Sequence, residues 1–350
     1  MQKLVSIITP SYNCGKYIHR LLDSVLNQTY KNIEMFVVDD GSTDGTRDVI
    51  EQYIEKFSKT GKKLQYIYKE NGGAVSAINT GLKFISGEYF TWPDADDWYA
   101  VDDAIEQLVY IFEHSPVDIG FVRGLIYIID EDTLNVIGKK GDESKEYPDN
   151  LFEQCIIHSS EWWFGAGSYM IKTEHLFDNY SDKSIYSPSI EGYGGGQNYP
   201  LLIPSLYSYR SITIKKYIYN ILRRKSSLSR KHYSYEDRIS KRFDFLEDMQ
   251  KNTLLSFKKM TIDDKERYIK CVKTKYDVKR FFLAFSNKHR KDCFIYYNKI
   301  LSGDKVKGKN HKMKYLFSQI PLGFIIFKCV SFFVNLPRRT ANFLKQKICL

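Results

Sequence analysis

Cysteine and proline are scarce in this 350-residue chain, which contains six cysteines and nine prolines. No two cysteines form a CxxC pair or stand at the spacing of zinc ligands, so neither a redox motif nor a zinc site is indicated. A secretory leader is also lacking, because "MQKLVSIITPSYN" runs directly into an apolar strand pattern. We therefore expect a cytoplasmic protein with reduced thiols. The sequence has neither GxGxxG nor GxxxxGK[ST], which argues against a dinucleotide fingerprint and a P-loop.

Acidic residues are scarce in the second part of the chain. Residues 201–350 carry 35 basic and 11 acidic side chains, a net charge of +24, whereas residues 1–200 carry 17 and 31, a net charge of −14. Such a basic part is typical of proteins that meet a polyanion or an anionic membrane surface. With 43% hydrophobic and 15% aromatic residues, the chain is globular and long enough for one large domain and a smaller one.

Apolar runs alternate with amphipathic segments over residues 1–125, which predicts a parallel sheet with covering helices. We predict strands over 4–9, 33–38, 64–68 and 88–92, and helices over 16–28, 46–57 and 74–85. Asp44 or Ser42 is expected to be the N-cap of the second helix. Ligands bind beyond the carboxyl ends of strands in such sheets. The segments "TPSYN", "DDGSTDG", "ENGGA" and "PDADDW" should therefore share one edge.

Three aspartates, Asp94, Asp96 and Asp97, stand within four positions after the fourth predicted strand. Carboxylates this close raise one another's pKa unless a cation lies between them. Oxygen ligands in a loose cluster suit Mg²⁺ or Mn²⁺, whose shell can be completed by phosphate oxygens. The cluster therefore predicts a metal bound together with a nucleotide diphosphate, and the alternative is a hydrated acidic turn.

Three segments carry a resemblance to a known family: "VSIITPSYNCGKYIHRLLDSVLNQTYKNIEMFVVDDGSTDGT", "KENGGAVSAINTGL" and "GEYFTWPDADDWY". They resemble the N-terminal half of family 2 glycosyltransferases of the GT-A fold, with the motifs in order. The likeness weakens after residue 170. It implies an α/β protein with a Rossmann-like mixed sheet and covering helices. The Lys-rich pattern of the later residues predicts, in addition, a basic, mainly helical C-terminal extension.

The resemblance also implies a function. It would make the chain an inverting transferase that moves a sugar from a nucleotide-diphospho-sugar, most often UDP-linked, with Mn²⁺ or Mg²⁺ as cofactor. The acceptor would be a hydroxyl of a glycan or of a lipid-linked precursor of a surface polysaccharide. Residues 1–230 would form the GT-A domain, with a nucleotide-sugar half at 1–125 and an acceptor half at 126–230, and 231–350 the basic helical region.

Carried over by position, the resemblance assigns roles to individual residues. Asp40 would contact the base, Asp96 would be the main metal contact, and Asp97 would orient the loop or the sugar. Asp94 would lie near the ribose and the metal. The other donor-site positions are Thr9, Pro10, Tyr12, Asn71 and Gly73, with Arg223 and Arg224 on the diphosphate unless their basic segment is a solvated loop or a phospholipid contact. Trp162 and Trp163 would face the acceptor, and ordinary core packing is their alternative.

The general base is the main departure from the family. Gln197 and Asn198 stand where a Glu-Asp pair is expected, and an amide cannot accept a proton at neutral pH. Glu191, six residues earlier, is our preferred base. Alternatively, the amides orient the acceptor while Glu161 or Asp97 takes the proton, or the chain is a catalytically impaired nucleotide-sugar-binding or scaffold protein.

The C-terminal segment holds a long apolar run from Leu316 to Leu336, interrupted by Pro321 and Lys328. A central lysine disfavours a membrane span. We predict an amphipathic helix over 314–348 that lies on an anionic membrane surface, with a buried helix as the alternative. Nucleic-acid binding would explain the basic part of the chain but not the acidic strand edge, so we expect no nucleic-acid partner.

Overall fold

The computed structural model describes residues 2–185, 196–225 and 234–302. Its strands are β1 (Val5–Ser11), β2 (Ile33–Asp40), β3 (Lys63–Lys69), β4 (Tyr89–Thr91), β5 (Trp98–Tyr99), β6 (Ile119–Asp130), β7 (Val136–Lys140), β8 (Tyr169–Lys172) and β9 (Arg210–Arg223). Its α-helices are α1 (Ile18–Leu26), α2 (Thr46–Lys59), α3 (Ala74–Leu82), α4 (Ala104–His114), α5 (Phe152–Ile157), α6 (Thr173–Phe177), α7 (Asn198–Ser208), α8 (Tyr235–Asp237), α9 (Phe243–Ser256), α10 (Ile262–Ser286) and α11 (Arg290–Ser302).

The strands form one mixed sheet in the order β3-β2-β1-β4-β8-β6-β9-β5, with β7 on β6. The first four strands of this order are parallel. They are joined by helices, which is the Rossmann-like half that the sequence predicts. Strands β8 and β7 pair antiparallel with successive parts of β6, and β9 runs parallel to β6. The predicted mixed sheet of a GT-A fold is therefore confirmed.

The four predicted strands correspond to β1–β4 and the three predicted helices to α1–α3; α1 and α3 are shorter than predicted, and α2 extends two residues further. The predicted N-cap of α2 is wrong, because Gly45 occupies that position. Asp44 instead accepts hydrogen bonds from the N–H groups of Thr46 and Gly15, at 3.0 and 3.1 Å. The carboxylate therefore ties the start of α2 to the loop after β1.

Two hydrophobic clusters cover the two faces of the sheet. All eight residues of β2 are buried, and successive residues such as Val37 and Val38 belong to opposite clusters. This is expected for a strand with helices on both faces. The cluster that holds Val38 also contains Met249 of α9 and Tyr276 of α10. The described helices of the C-terminal region thus share a core with the sheet.

No helix in residues 2–185, 196–225 and 234–302 is long and apolar enough to cross a bilayer. The predicted surface helix at 314–348 lies outside the described residues.

Candidate functional site

The loops after the parallel strands meet at one edge of the sheet, as predicted. Asn13, which follows β1, accepts a hydrogen bond from the Thr43 N–H group at 2.8 Å through its side-chain oxygen. Its own N–H donates to the hydroxyl of Ser42 at 2.9 Å. Asn13 has a φ of +48°, a conformation that asparagine tolerates better than most residues. These bonds hold the loops after β1 and β2 against each other.

Asp40, the last residue of β2, organises the loop after β3. Its carboxylate accepts hydrogen bonds from Lys69 Nζ at 2.6 Å, from the Gly72 N–H at 2.9 Å and from the Gly73 N–H at 2.6 Å. Its backbone carbonyl accepts from the Asn71 side chain at 2.9 Å. Gly73 has a φ of +85°, which a residue with a side chain rarely adopts. Asp40 therefore fixes the backbone of Asn71–Gly73, and Lys69 is a residue of this site that sequence reasoning missed.

Replacing Asp40 with asparagine should loosen this loop. The carboxylate is buried, and a hydrogen bond to a charged group contributes about 1.5–3 kcal/mol. We expect the free energy of unfolding to fall by about 2 kcal/mol, with faster amide hydrogen exchange at residues 72 and 73. The exposed Glu55→Gln change should alter stability by less than about 0.5 kcal/mol. Equal denaturation curves and equal exchange rates for the two variants would show that Asp40 does not hold the loop.

The predicted donor-site residues of β1 and the loop after it differ in their exposure to solvent. Thr9 is fully buried, and its hydroxyl has no hydrogen-bond partner among the described residues. Pro10 is partly buried. Tyr12 is 51% exposed and lies on the strand edge, where a ring could face a ligand. Thr9 thus lies beneath the edge and Tyr12 on it.

The aspartate loop, residues 93–97, lies between β4 and β5. Strand β5 pairs with β9, with Trp98 opposite Asn220 and Tyr99 opposite Tyr219. The Leu222 N–H of β9 donates to Asp97 at 2.9 Å, and Asp97 is only 4% exposed. Strand β9 therefore clamps the loop, and the carboxylate of Asp97 is part of the clamp.

The residue that follows β9, Arg224, places a positive charge beside the aspartate loop. Arg224 Nε lies 2.6 Å from the Asp96 carboxylate, and the guanidinium lies 4.8 Å from the ring centre of Tyr17. A basic segment was expected to follow the last strand, but β9 continues to Arg223, whose side chain is exposed. The structure thus brings Arg224 to the aspartates, whereas Arg223 is solvent-exposed at the strand end.

The aspartate loop has more negative charge than Arg224 offsets. Burial and the Asp96 carboxylate raise the pKa of Asp94 to about 7, and Arg224 opposes this rise. Burial and the carboxylates of Asp96 and Asp94 raise the pKa of Asp97 well above its usual range. A second cation beside Asp94 and Asp96 would return these groups to their charged forms.

The donor set fits a divalent metal held partly by a ligand. Asp94 and Asp96 offer carboxylate oxygens, which Mg²⁺ and Mn²⁺ prefer. Among the described residues, no group of three or more His, Cys, Asp or Glu side chains is placed to hold a metal ion. The two aspartates could therefore hold the ion only if phosphate oxygens and water completed its shell.

Gln197 and Asn198, which stand where the resemblance places a catalytic Glu-Asp pair, lie at the start of α7. Asn198 is its first residue, and its side-chain oxygen accepts a hydrogen bond from Trp92 Nε1 at 2.7 Å. Gln197 is 6% exposed, and its Oε1 has no partner among the described residues. Asn198 thus links α7 to the end of β4. Glu191 lies outside the described residues.

Trp162 and Trp163 are 7% and 6% exposed, so core packing accounts for most of their surface. The Trp162 ring packs against Phe121 and Tyr169. The Arg123 guanidinium lies 3.5 Å from the ring centre of Trp163. Both tryptophans also line a cavity of about 370 Å³. This is the part of their surface that a ligand could reach.

Glycosyl transferase family 2 is the family whose model matches this chain, over residues 6–160. That range contains the loops after β1–β4 and the aspartate loop. Residues 6–160 therefore carry the sequence features of a family 2 glycosyltransferase domain.

Curated relatives match the same region. An uncharacterized glycosyltransferase of Rickettsia typhi is 51% identical over 159 residues, which is 45% of this chain and 47% of that protein. TuaG of Bacillus subtilis, whose name assigns it provisionally to teichuronic acid biosynthesis, is 42% identical over 113 residues, 32% of this chain and 43% of TuaG. The matches thus span about half or less of these relatives' lengths.

Solved structures show the same fold. TarS of S. aureus (residues 1–349), in complex with UDP-GlcNAc, aligns with a TM-score of 0.61 over 86% of this chain and 81% of that one, at 20% identity. A mannosyltransferase from Pyrobaculum calidifontis, in complex with GDP-Man and Mn2+, aligns with a TM-score of 0.52 over 99% of this chain and 85% of that one, at 17% identity. At these identities the likeness concerns the fold.

Proposed function

We propose that this chain transfers a sugar from a nucleotide-diphospho-sugar, UDP-linked in our preferred form, to a hydroxyl of a glycan or lipid-linked acceptor in surface polysaccharide synthesis. One observation carries the proposal: Asp94 and Asp96 lie at the ligand-binding edge of the sheet with too little positive charge around them. The name of TuaG and the UDP-GlcNAc complex of TarS support the substrate class.

In this proposal the edge binds the donor through separate groups. The Asn71–Gly73 backbone, set by Asp40, forms the floor beside the nucleotide, and Tyr12 covers it. Asp94 and Asp96 hold Mn²⁺ or Mg²⁺, which would act as a Lewis acid on the departing diphosphate. Arg224 already lies beside Asp96. Its guanidinium can therefore add a charge-assisted hydrogen bond to a phosphate oxygen.

The transfer is proposed to invert the anomeric centre, with the acceptor oxygen attacking opposite the departing diphosphate. Asp97 acts as a positioning residue, because its carboxylate is buried and bonded to the Leu222 N–H. Gln197, with an unpartnered buried oxygen among the described residues, would accept a hydrogen bond from the acceptor. Glu191 is the proposed base. Within this proposal the protein is cytoplasmic, the transferase domain spans 1–230, and residues 314–348 contact an anionic membrane.

A direct assay separates this proposal from its rival, a scaffold that binds nucleotide sugar without turnover. The amides at Gln197 and Asn198 favour the rival. A panel of nucleotide sugars should first be tested for thermal stabilisation with Mn²⁺ and with EDTA, since a bound ligand raises the melting temperature by mass action. The stabilising donor should then be hydrolysed slowly. Stabilisation without any hydrolysis or transfer would favour the scaffold, and a product of retained configuration would exclude inversion.

Metal affinity should depend on pH near neutrality. Because burial and Asp96 raise the pKa of Asp94 to about 7, protons compete with the metal at a higher pH than for an ordinary aspartate. We expect the apparent affinity for Mn²⁺, measured with UDP present, to weaken by up to about tenfold per pH unit below pH 7 and to level off above it. A flat affinity between pH 5.5 and 8 would show that Asp94 is not a ligand.

A further inference from the structure

A ligand-sized cavity lies in the proposed acceptor half, and no residue of the aspartate loop lines it. Its volume is about 370 Å³, within the range of small-molecule pockets. We call it the tryptophan pocket; its lining residues include Lys140, His158, Ser160, Trp162, Trp163 and Phe164. Three aromatic side chains give it apolar walls, and Ser160 is exposed at its rim.

Several cations surround this pocket, and two of them, Lys139 and Lys140, belong to its lining. Lys140 Nζ donates to the Phe164 carbonyl at 3.1 Å, which holds the ammonium at the wall. Behind Trp163, the guanidinium of Arg123 is buried against the indole face. Lys279 Nζ of α10 lies 3.3 Å from His158 Nδ1. Lys139 and Lys140 are therefore the cations on the lining, with Lys140 held at the wall beside Phe164. Arg123 and Lys279 add to the positive potential.

Arg123 and Lys279 keep their charge near neutral pH, whereas His158 does not. Burial lowers the pKa of Arg123 to about 10 and that of Lys279 to about 8. Burial, Lys275 and Lys279 lower the pKa of His158 well below its usual range, so the imidazole is neutral. Glu161 is a carboxylate that acts on Arg123. The balance of charge at the pocket is positive.

The pocket is connected to the candidate active site by packed side chains. Trp162 contacts Tyr169, and Tyr169 contacts Trp92, which precedes the aspartate loop; both ring separations are 6.1 Å. On the other side, His158 is hydrogen-bonded to the Tyr199 hydroxyl of α7. A layer of aromatic rings thus separates the pocket from the place of reaction. A group bound there would belong to a neighbouring unit of the acceptor.

We propose that the tryptophan pocket binds an oxyanion, a phosphate or a carboxylate, carried by the acceptor glycan next to the unit that receives the sugar. Lys140 would bind the oxyanion by a charge-assisted hydrogen bond, and the indole and phenyl walls would exclude water from it. This inference rests on the proposed function and adds an acidic polymer as the substrate class.

Fluorescence titration of the full chain tests the pocket without donor or metal. Two of the four tryptophans line it. Glycerol 1-phosphate and glucuronate should each give a saturable change in tryptophan emission, whereas glucose should give none. Lys140→Gln should weaken anion binding by at least about tenfold. The exposed Lys273→Gln, on α10, should bind as the parent does, and the melting temperatures of both variants should match the parent's.

Three results would overturn the inference: no saturable response to either anion, equal binding by the two variants, or a response to inorganic phosphate alone. The last would indicate a free-phosphate site. The titration is independent of the nucleotide assay. Anion binding without donor turnover would leave an anion site in the pocket but remove the transferase proposal and, with it, the acceptor assigned to the site. Donor turnover without anion binding would remove the pocket proposal alone.

Discussion

Replacing Asp96 with asparagine is expected to lower sugar transfer by about 10³-fold and to abolish Mn²⁺-dependent UDP binding. Asparagine keeps the size of the side chain but removes the negative charge. Asp94 would then be the only one of the two proposed ligands that keeps a carboxylate, and Arg224, which lies 2.6 Å from Asp96 in the parent, would lose one of its carboxylate partners. The measurements are the transfer rate with saturating Mn²⁺ and calorimetric titration of UDP with and without the metal.

The exposed Asp248→Asn change on α9 is the matched control for Asp96, since it removes one carboxylate from the same chain. It should transfer at the parent's rate. The change breaks a pair with Arg224 that is only about one-fifth exposed, but it also relieves the repulsion that raises the pKa values of Asp94 and Asp97. Both variants should therefore remain folded. If Asp96→Asn retained near-parent transfer and metal-dependent binding, the metal assignment would be wrong.

The second large effect concerns the base. We expect Glu191→Gln to lower kcat by about 10²–10⁴-fold with little change in donor affinity, because a general base acts on the acceptor proton and not on the nucleotide. The described contacts favour this choice indirectly. Asp97 accepts a hydrogen bond from the Leu222 N–H, and Asn198 accepts one from Trp92. Both side chains therefore hold the structure together, which favours another residue as the base. The kcat of each variant should be measured at saturating donor and acceptor.

Glu161→Gln and Asp97→Asn complete this experiment. Glu161 is partly exposed, and its replacement should change kcat by no more than about threefold if Glu191 is the base. A normal rate for Glu191→Gln together with a collapse for Glu161→Gln would move the base to Glu161. The pH profile adds a further readout, since Glu191→Gln should lose the limb that reports the base's pKa.

The fold of residues 1–125 could be predicted from sequence because its signals are local. Strands such as Val5–Ser11 and Ile33–Asp40 are largely buried and mostly apolar in their first six residues, and each is followed by turn residues that a parallel sheet collects at one edge. The shared edge of the loops was predictable for the same reason. The N-cap of α2 was not, because Asp44, Gly45 and Ser42 are all acceptable caps, and long-range contacts decide among them.

The strand pairings beyond residue 125 could not be predicted because their partners are distant in sequence. Strand β6 pairs in parallel with β9, so that Ile119 lies opposite Arg210. The contacts from Leu222 to Asp97 and from Trp92 to Asn198 span 125 and 106 residues. A single sequence gives no signal for such partners. The sequence predicted the same diphosphate contact for Arg223 and Arg224. The path of β9 distinguishes them, because Arg224 lies beside Asp96 and Arg223 is exposed.

The path of β9 has a practical consequence for chimeric enzymes. One continuous backbone pairs with β6, closes on β5 and ends beside Asp96. Since a strand advances about 3.4 Å per residue and reverses the facing of its side chains at each step, a deletion of one residue would carry Arg224 away from its partner. A graft of a foreign acceptor half should therefore conserve the residue count between Ser211 and Arg224, even where the amino acids differ.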